Sequence, residues 1–181
     1  MAEQQNNEYD LAIIGAGPGG YVAALYGALK GLRIAIIEKD PRLGGTCLLR
    51  GCIPSKAMVK TAELMLQMRH PDKYGLDLQG SVELDWEKTI GRKDKVVDGL
   101  SSGLTGLMKS RKVEVITGHG TLVNPRTVMV DGREVRTRNV IISTGSGTML
   151  PRDVPGGDLP VDPSDLPANP DDVRDQLDDL L

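Results

Sequence analysis

Two thiols are the first candidates for chemistry. Cys47 and Cys52 are the only cysteines of the chain, and they lie in Gly44-Gly45-Thr46-Cys47-Leu48-Leu49-Arg50-Gly51-Cys52-Ile53-Pro54-Ser55-Lys56. In a regular α-helix, residues five apart are about 8 to 9 Å apart at Cα, beyond the roughly 7 Å that a disulfide spans. A bridge therefore requires the segment to leave ideal helix, and Gly44, Gly45 and Gly51 permit that. Pro54 can open the helix that follows, at a position where its missing N–H costs little. A disulfide across so short a loop removes little entropy from the unfolded chain, so reversible redox chemistry explains the pair better than stabilisation does. Two other readings stay open. The thiols could be inert small hydrophobes, or metal ligands, although the only histidines, His70 and His119, stand at separations that match no common zinc site.

The second candidate is a phosphate cradle. Gly15-Ala16-Gly17-Pro18-Gly19-Gly20 matches G-x-G-x-x-G and falls between an apolar run and a helical pattern. In that setting Gly15 permits the tight turn, Gly17 lets backbone N–H groups approach a pyrophosphate, and Gly20 allows helix and strand to pack closely. The acid at the end of the next apolar run, Glu38, is placed to accept hydrogen bonds from an adenosine ribose and to repel a 2′-phosphate. The combination predicts dinucleotide binding. The motif alone does not separate FAD from NAD. Cys47 follows Glu38 within ten residues, which brings the sulfurs toward the cofactor.

The elements that must position these groups follow from periodicity. Asp10 to Ile14 and Ile34 to Glu38 read as strands buried on both faces, and Gly20 to Leu29 as a helix whose apolar residues include Val22, Ala24, Leu25 and Ala28. Lys30-Gly31 ends that helix, which completes a βαβ unit. Ser55 to Met68 predicts a helix with Ala57, Met58, Ala62, Met65 and Leu66 on or near its buried side, closed by His70-Pro71. Asp85 to Ser110 predicts a longer one, with Ile90, Val97, Leu100, Leu104, Leu107 and Met108 at mostly helical spacing, weakened by Gly91, Gly99, Gly103 and Gly106. Short strands are expected at 113–116, 127–130, 133–135 and 140–142, with a hairpin turn at Asp131-Gly132. The fold class is thus α/β, a Rossmann-like domain with a parallel sheet and a small antiparallel β element.

Composition bounds the partners. The 181 residues carry a net charge of −3, 39% hydrophobic residues and no Phe, so Val, Ile, Leu, Ala and 7 Met must build the core. The overall charge points to neither nucleic acid nor an anionic membrane, and no apolar run approaches the roughly 20 residues of a bilayer span. The opening MAEQQNNEYD has neither a basic stretch nor an apolar one, which predicts a cytoplasmic protein. Residues 151–181 hold nine Asp against Arg152 and Arg174, together with six prolines. They are expected to form an acidic, Pro-rich tail distinct from a cofactor domain over 1–150, with a short acidic helix at 171–181.

GAGPGGYVAA, the acid after the second strand, GGTCLLRGCIPSK and a later ISTGS together resemble the flavin-dependent pyridine nucleotide-disulfide oxidoreductases, and among them the dihydrolipoyl dehydrogenase branch. The resemblance covers about residues 8 to 150. It implies a redox disulfide between Cys47 and Cys52 lying against FAD, reduction by dihydrolipoyl groups of 2-oxo acid dehydrogenase or glycine cleavage complexes, and NAD+ as final acceptor. It makes Cys47 the interchange thiol, Cys52 the thiolate beside the flavin and Lys56 a positive charge near the flavin ring. It also implies backbone contact with adenine at Gly118 and Gly120 and a cofactor-side turn at Thr144-Gly145-Ser146. Pro18, Lys39, Gly45 and Thr46 complete the expected cofactor contacts, whereas His119 is read as incidental. Two residues depart from the family pattern: Leu49 stands where Asn is usual, and Ser143 where Ala is usual. The family also adds an NAD domain and a dimerisation domain with a His-Glu pair, which have no counterpart here, so the chain is expected to be a truncated form, with 151–181 a leftover connector and full turnover lacking.

Overall fold

A computed structural model describes residues 8–147. These fall into two compact units, one formed by residues 8–48 and Leu100–Gly147, the other by Leu49–Gly99. The expectations for the acidic tail lie outside the described residues. Among the described residues no helix is long and apolar enough to cross a membrane.

The first unit is built on a six-stranded sheet. Its strands are β1 (Glu8–Ile14), β2 (Ile34–Glu38), β3 (Glu114–Thr117), β4 (Gly120–Asn124), β5 (Thr127–Val130) and β6 (Arg133–Ile142), in the order β3-β2-β1-β6-β5-β4. The β1, β2, β3 and β6 pairings are parallel, and β4, β5 and β6 form an antiparallel meander. This is the α/β, Rossmann-like class expected, with its small antiparallel element. Helix α1 (Pro18–Leu29) makes the crossover from β1 to β2. It ends as Lys30-Gly31 predicts, with Leu32 N–H on Gly27 O and Gly31 N–H on Ala28 O, the pattern of a Schellman cap.

The two faces of the sheet are covered differently. On one, α1 buries Gly20, Ala24 and Gly27, and a Cβ at Gly27 would lie 2.6 Å from Ile34 Cδ1. The helix therefore approaches through its smallest residues. Val22, expected on the apolar side, is 56% exposed. On the other face Ala12, Ile14, Ala35, Ile37 and Ile116 meet Val128, Val130 and Val135 of the meander in one core cluster. A Cβ at Gly120 would sit 3.0 Å from Ile37 Cγ2 and 3.1 Å from Ile14 Cγ2, so the start of β4 curls back over the parallel strands. Each fully buried Ile or Val stabilises this arrangement by about 1.5–3 kcal/mol.

Two expected strands, 133–135 and 140–142, are one. β6 runs ten residues because its first half pairs with β5 while its second half continues along β1. The Asp131-Gly132 turn is as predicted, with both residues at positive φ (46° and 88°), which matches the twist of a two-residue hairpin. β4, not expected from sequence, pairs with β5.

At the amino ends of the strands, Tyr9 Oη donates to Glu114 Oε2 at 2.5 Å, Arg133 pairs with Glu114 at 3.2 Å, and the Arg33 guanidinium lies 4.9 Å from the Tyr9 ring centre. Burial raises the Tyr9 pKa, with the Glu114 hydrogen bond adding to it. The same hydrogen bond lowers that of Glu114.

The helices beyond the βαβ unit are α2 (Gly45–Leu49), α3 (Cys52–Met68) and α4 (Trp86–Ser110), with a 3-10 turn at Pro71–Tyr74. α3 starts three residues earlier than expected, so Pro54 stands within its first turn, where a proline is tolerated. It buries Pro54 and Ala57, whereas Ala62 and Leu66 are exposed. Arg92 of α4 donates to the Ala57 carbonyl at 2.9 Å within the second unit. The inward stripe of α4 runs Thr89, Lys93, Val97, Ser101, Leu104 and Met108, and Leu100 and Leu107 of the apolar spacing face outward. Asp85 caps α4, its side chain accepting the Lys88 N–H at 2.9 Å.

Candidate functional site

Strand register decides where the loops meet. Ile14 pairs with Ile37 and with Ile142, and Glu38 with Thr117, so four parallel strands end in one layer. Gly15, Glu38, Ser143 and Gly118 all emerge there. β1 lies between β2 and β6, which leave it in opposite directions. That is the topological switch point, where α/β sheets bind ligands beyond the carboxyl ends of their strands.

The glycine turn is held by backbone on several sides. Gly15 has φ +100°, its N–H donates to Ile37 O at 2.8 Å, and a Cβ there would overlap the Ser143 carbonyl oxygen. A Cβ at Gly20 would overlap the Gly15 carbonyl oxygen. Ser143 is tied in turn to Ile14 O through its N–H at 2.8 Å. Gly17 caps α1 without a side chain, and Pro18 has no N–H to offer. The first-turn amides at Gly19 and Gly20 are therefore left for an anion at the positive end of the helix.

Glu38 is buried, and both of its carboxylate oxygens are engaged. The Ala16 N–H donates to Oε2 at 2.7 Å and the Asp40 N–H to Oε1 at 3.0 Å. These charge-assisted bonds offset the cost of burying the carboxylate and fasten the glycine turn to the end of β2. A carboxylate has about four lone-pair positions, so two acceptor positions remain. The loop-fastening role is one that motif reading missed.

Gly44 and Gly45 form a second wall. Gly44 N–H donates to Ala16 O at 3.0 Å, and a Cβ at Gly45 would lie 2.6 Å from the Gly17 Cα. Gly45 opens α2, which carries Thr46, exposed, and Cys47, half-buried. Gly118 N–H donates to the Glu38 carbonyl at 2.8 Å, which brings the Gly118-His119-Gly120 stretch beside the same loop. Thr144, Gly145 and Ser146 follow Ser143 and are exposed, as is Lys39 next to Glu38. Thus Gly15, Gly17, Pro18, Gly20, Glu38, Gly45 and Gly118 gather around one crevice. Gly120 is different, since it packs on Ile14 and Ile37 beneath the meander. Cys52 and Lys56 belong to the second unit, one turn apart on the same face of α3, and both are exposed. Neither cysteine is in a disulfide in this structure.

A parallel sheet, a glycine-packed turn at its switch point and a buried acid at the end of the second strand define a Rossmann-like fold of the FAD-binding type. Comparison with known proteins carries this further. The pattern described as pyridine nucleotide-disulphide oxidoreductase matches residues 9–175, and the chain belongs to that family. It is 40% identical over 151 residues to a dihydrolipoyl dehydrogenase of Acholeplasma laidlawii, covering 83% of this chain and 44% of that protein. With a dihydrolipoyl dehydrogenase of Bacillus subtilis it shares 44% identity over 162 residues, covering 82% and 33%. Among solved structures it is similar to the HOCl-induced flavoprotein disulfide reductase RclA from Escherichia coli, at 28% identity and a TM-score of 0.66, covering 80% of this chain and 30% of that one. The chain thus spans less than half the length of these relatives.

Proposed function

We propose that this chain is the FAD-binding, cysteine-bearing part of a dihydrolipoyl dehydrogenase, working in the cytoplasm on lipoyl-bearing complexes with NAD+ as acceptor. The observation that carries the reading is the clamped Glu38, which holds the glycine turn while keeping acceptor capacity for a ribose. The identity with dihydrolipoyl dehydrogenases supports the choice of substrate.

In this reading the Gly19 and Gly20 amides and Glu38 would hold FAD, with Gly45, Thr46 and the Thr144-Gly145-Ser146 turn contributing further contacts. Bound FAD supplies a two-electron couple between thiols and a nicotinamide. The protein's own part is thiol exchange. A substrate thiolate attacks the Cys47 sulfur of the oxidised pair, the Cys47–Cys52 bond breaks, and Cys52 leaves as thiolate. The second substrate thiolate then attacks the substrate sulfur of the mixed disulfide, closing the substrate disulfide and releasing Cys47. Two electrons have passed from substrate to the cysteines. Lys56 stands one turn beyond Cys52 on the same face of α3 and would place a positive charge near the flavin ring.

The test is a titration of the chain with FAD, followed by flavin fluorescence and by the visible spectrum after addition of a dithiol. Saturable binding with a long-wavelength thiolate-to-flavin band supports the reading. Binding without a band reduces the chain to a nucleotide-binding module, and no binding removes the cofactor assignment.

A further inference from the structure

Ser101 is out of place on the inward stripe of α4, between Val97 and Leu104, where an apolar residue would pack without needing a partner. A hydroxyl in mid-helix ordinarily bonds back to the carbonyl four residues earlier, as Thr105 does to Ser101 O at 3.0 Å. Ser101 instead donates to the carbonyl of Leu43, 58 residues away, at 2.8 Å, with both residues buried. The next two residues after Leu43 form the second wall of the glycine turn. Gly44 N–H is bonded to Ala16 O, and Gly45 lies against Gly17.

We propose that Ser101 is a positioning residue for the cofactor site, anchoring the Leu43-Gly44-Gly45 loop so that it closes on the glycine turn. This rests on the FAD reading above. Without the hydroxyl, the buried Leu43 carbonyl loses its donor and is satisfied only by moving toward water. That movement takes Gly44 from Ala16 and Gly45 from Gly17, and the crevice loosens. Nothing in the G-x-G-x-x-G motif or the cysteine segment signals this role, because the residue comes from a helix far along the chain.

The experiment compares the whole chain with its Ser101→Ala, Ser101→Thr and Thr105→Ala variants. Two readouts are taken, the FAD dissociation constant and hydrogen exchange at the Gly44 amide without cofactor. Ser101→Ala is expected to raise both the dissociation constant and the exchange rate about tenfold. Ser101→Thr, which keeps the hydroxyl, restores both, and Thr105→Ala, which removes a hydroxyl from the same helix, changes neither. Equal loss of affinity in Ser101→Ala and Thr105→Ala overturns the proposal in favour of general helix destabilisation. Unchanged Gly44 exchange in Ser101→Ala also overturns it. If Ser101→Ala loses cooperative unfolding, Ser101→Cys, a weaker donor of similar size, is expected to give an intermediate shift in both readouts, and wild-type values there overturn the anchor. If the wild-type chain itself binds no FAD, the cofactor reading fails, while Gly44 exchange still decides whether Ser101 holds the loop.

Discussion

Glycine carries opposite meanings in two regions of this protein. In the turn between β1 and α1, side-chain atoms are excluded: a Cβ at Gly15 or Gly20 meets backbone oxygen that cannot yield. Along α4, Gly91, Gly99, Gly103 and Gly106 have nothing within 4 Å of where a Cβ would stand. The first set is required by close backbone approach, and the second only weakens a helix that packing holds in place. Glycine content by itself therefore says little about a site. The space around each glycine does.

That contrast can be broken by substitution. Gly20→Ala is expected to have the largest effect, a loss of about 3 kcal/mol or more together with loss of FAD binding, because a backbone oxygen occupies the space. A denaturation curve close to wild type would end the steric reading of the turn. Glu38→Ala comes next: it removes two charge-assisted bonds that fasten the turn, costs about 1.5–3 kcal/mol of stability, and weakens FAD binding. Titration calorimetry on the chain checks the affinity, and an unchanged constant would detach Glu38 from the cofactor. Gly99→Ala sharpens the comparison from the other side. It is expected to stabilise the chain by about 0.5–1 kcal/mol and leave FAD affinity alone, since the position is exposed, helical and unobstructed.

An effect of comparable size is expected at the opposite ends of the strands, where neither kind of glycine acts. Glu114 has a lowered pKa in the folded state, so its share of stability is present above the ordinary carboxylate range and is lost as pH falls through the folded value. Tyr9 has a raised pKa, so its share is present below about pH 10 and is lost as pH climbs through the folded value. Tyr9→Phe should flatten the alkaline limb of the stability profile and reduce the acid one. It should cost about 1 kcal/mol at neutral pH, as one hydrogen bond at a partly exposed carboxylate. An acid limb as steep as that of wild type would show that Tyr9 does not stabilise the Glu114 carboxylate.

The parts legible in the sequence are those with local causes. β1, α1 and β2 were readable because two apolar runs and a glycine stop bracket a helical pattern, and the Asp131-Gly132 hairpin because few residues tolerate two successive positive φ values. The cradle residues were readable for the same reason, since turn, helix start and acid follow one another within 24 residues. The inward faces of α1, α3 and α4 were read less well. Apolar spacing pointed to Val22, Leu66 and Leu100, all of which are exposed, while Gly20, Thr89, Lys93 and Ser101 are buried. A hydropathy pattern ranks side chains by transfer energy, whereas a helix face is selected by how closely it can approach its neighbour.

The βαβ unit, the glycine turn, the acid after the second strand and the two neighbouring cysteines follow from the residue order alone, because each rests on sterics or charge within a short stretch. That β6 is one strand serving two partners, that β4 folds back onto Ile14 and Ile37, that Glu38 clamps the turn it faces, and that Ser101 reaches Leu43 became visible only in the folded chain. Those outcomes depend on atoms brought together from distant parts of the chain, and their energies exist only once the neighbours are in place.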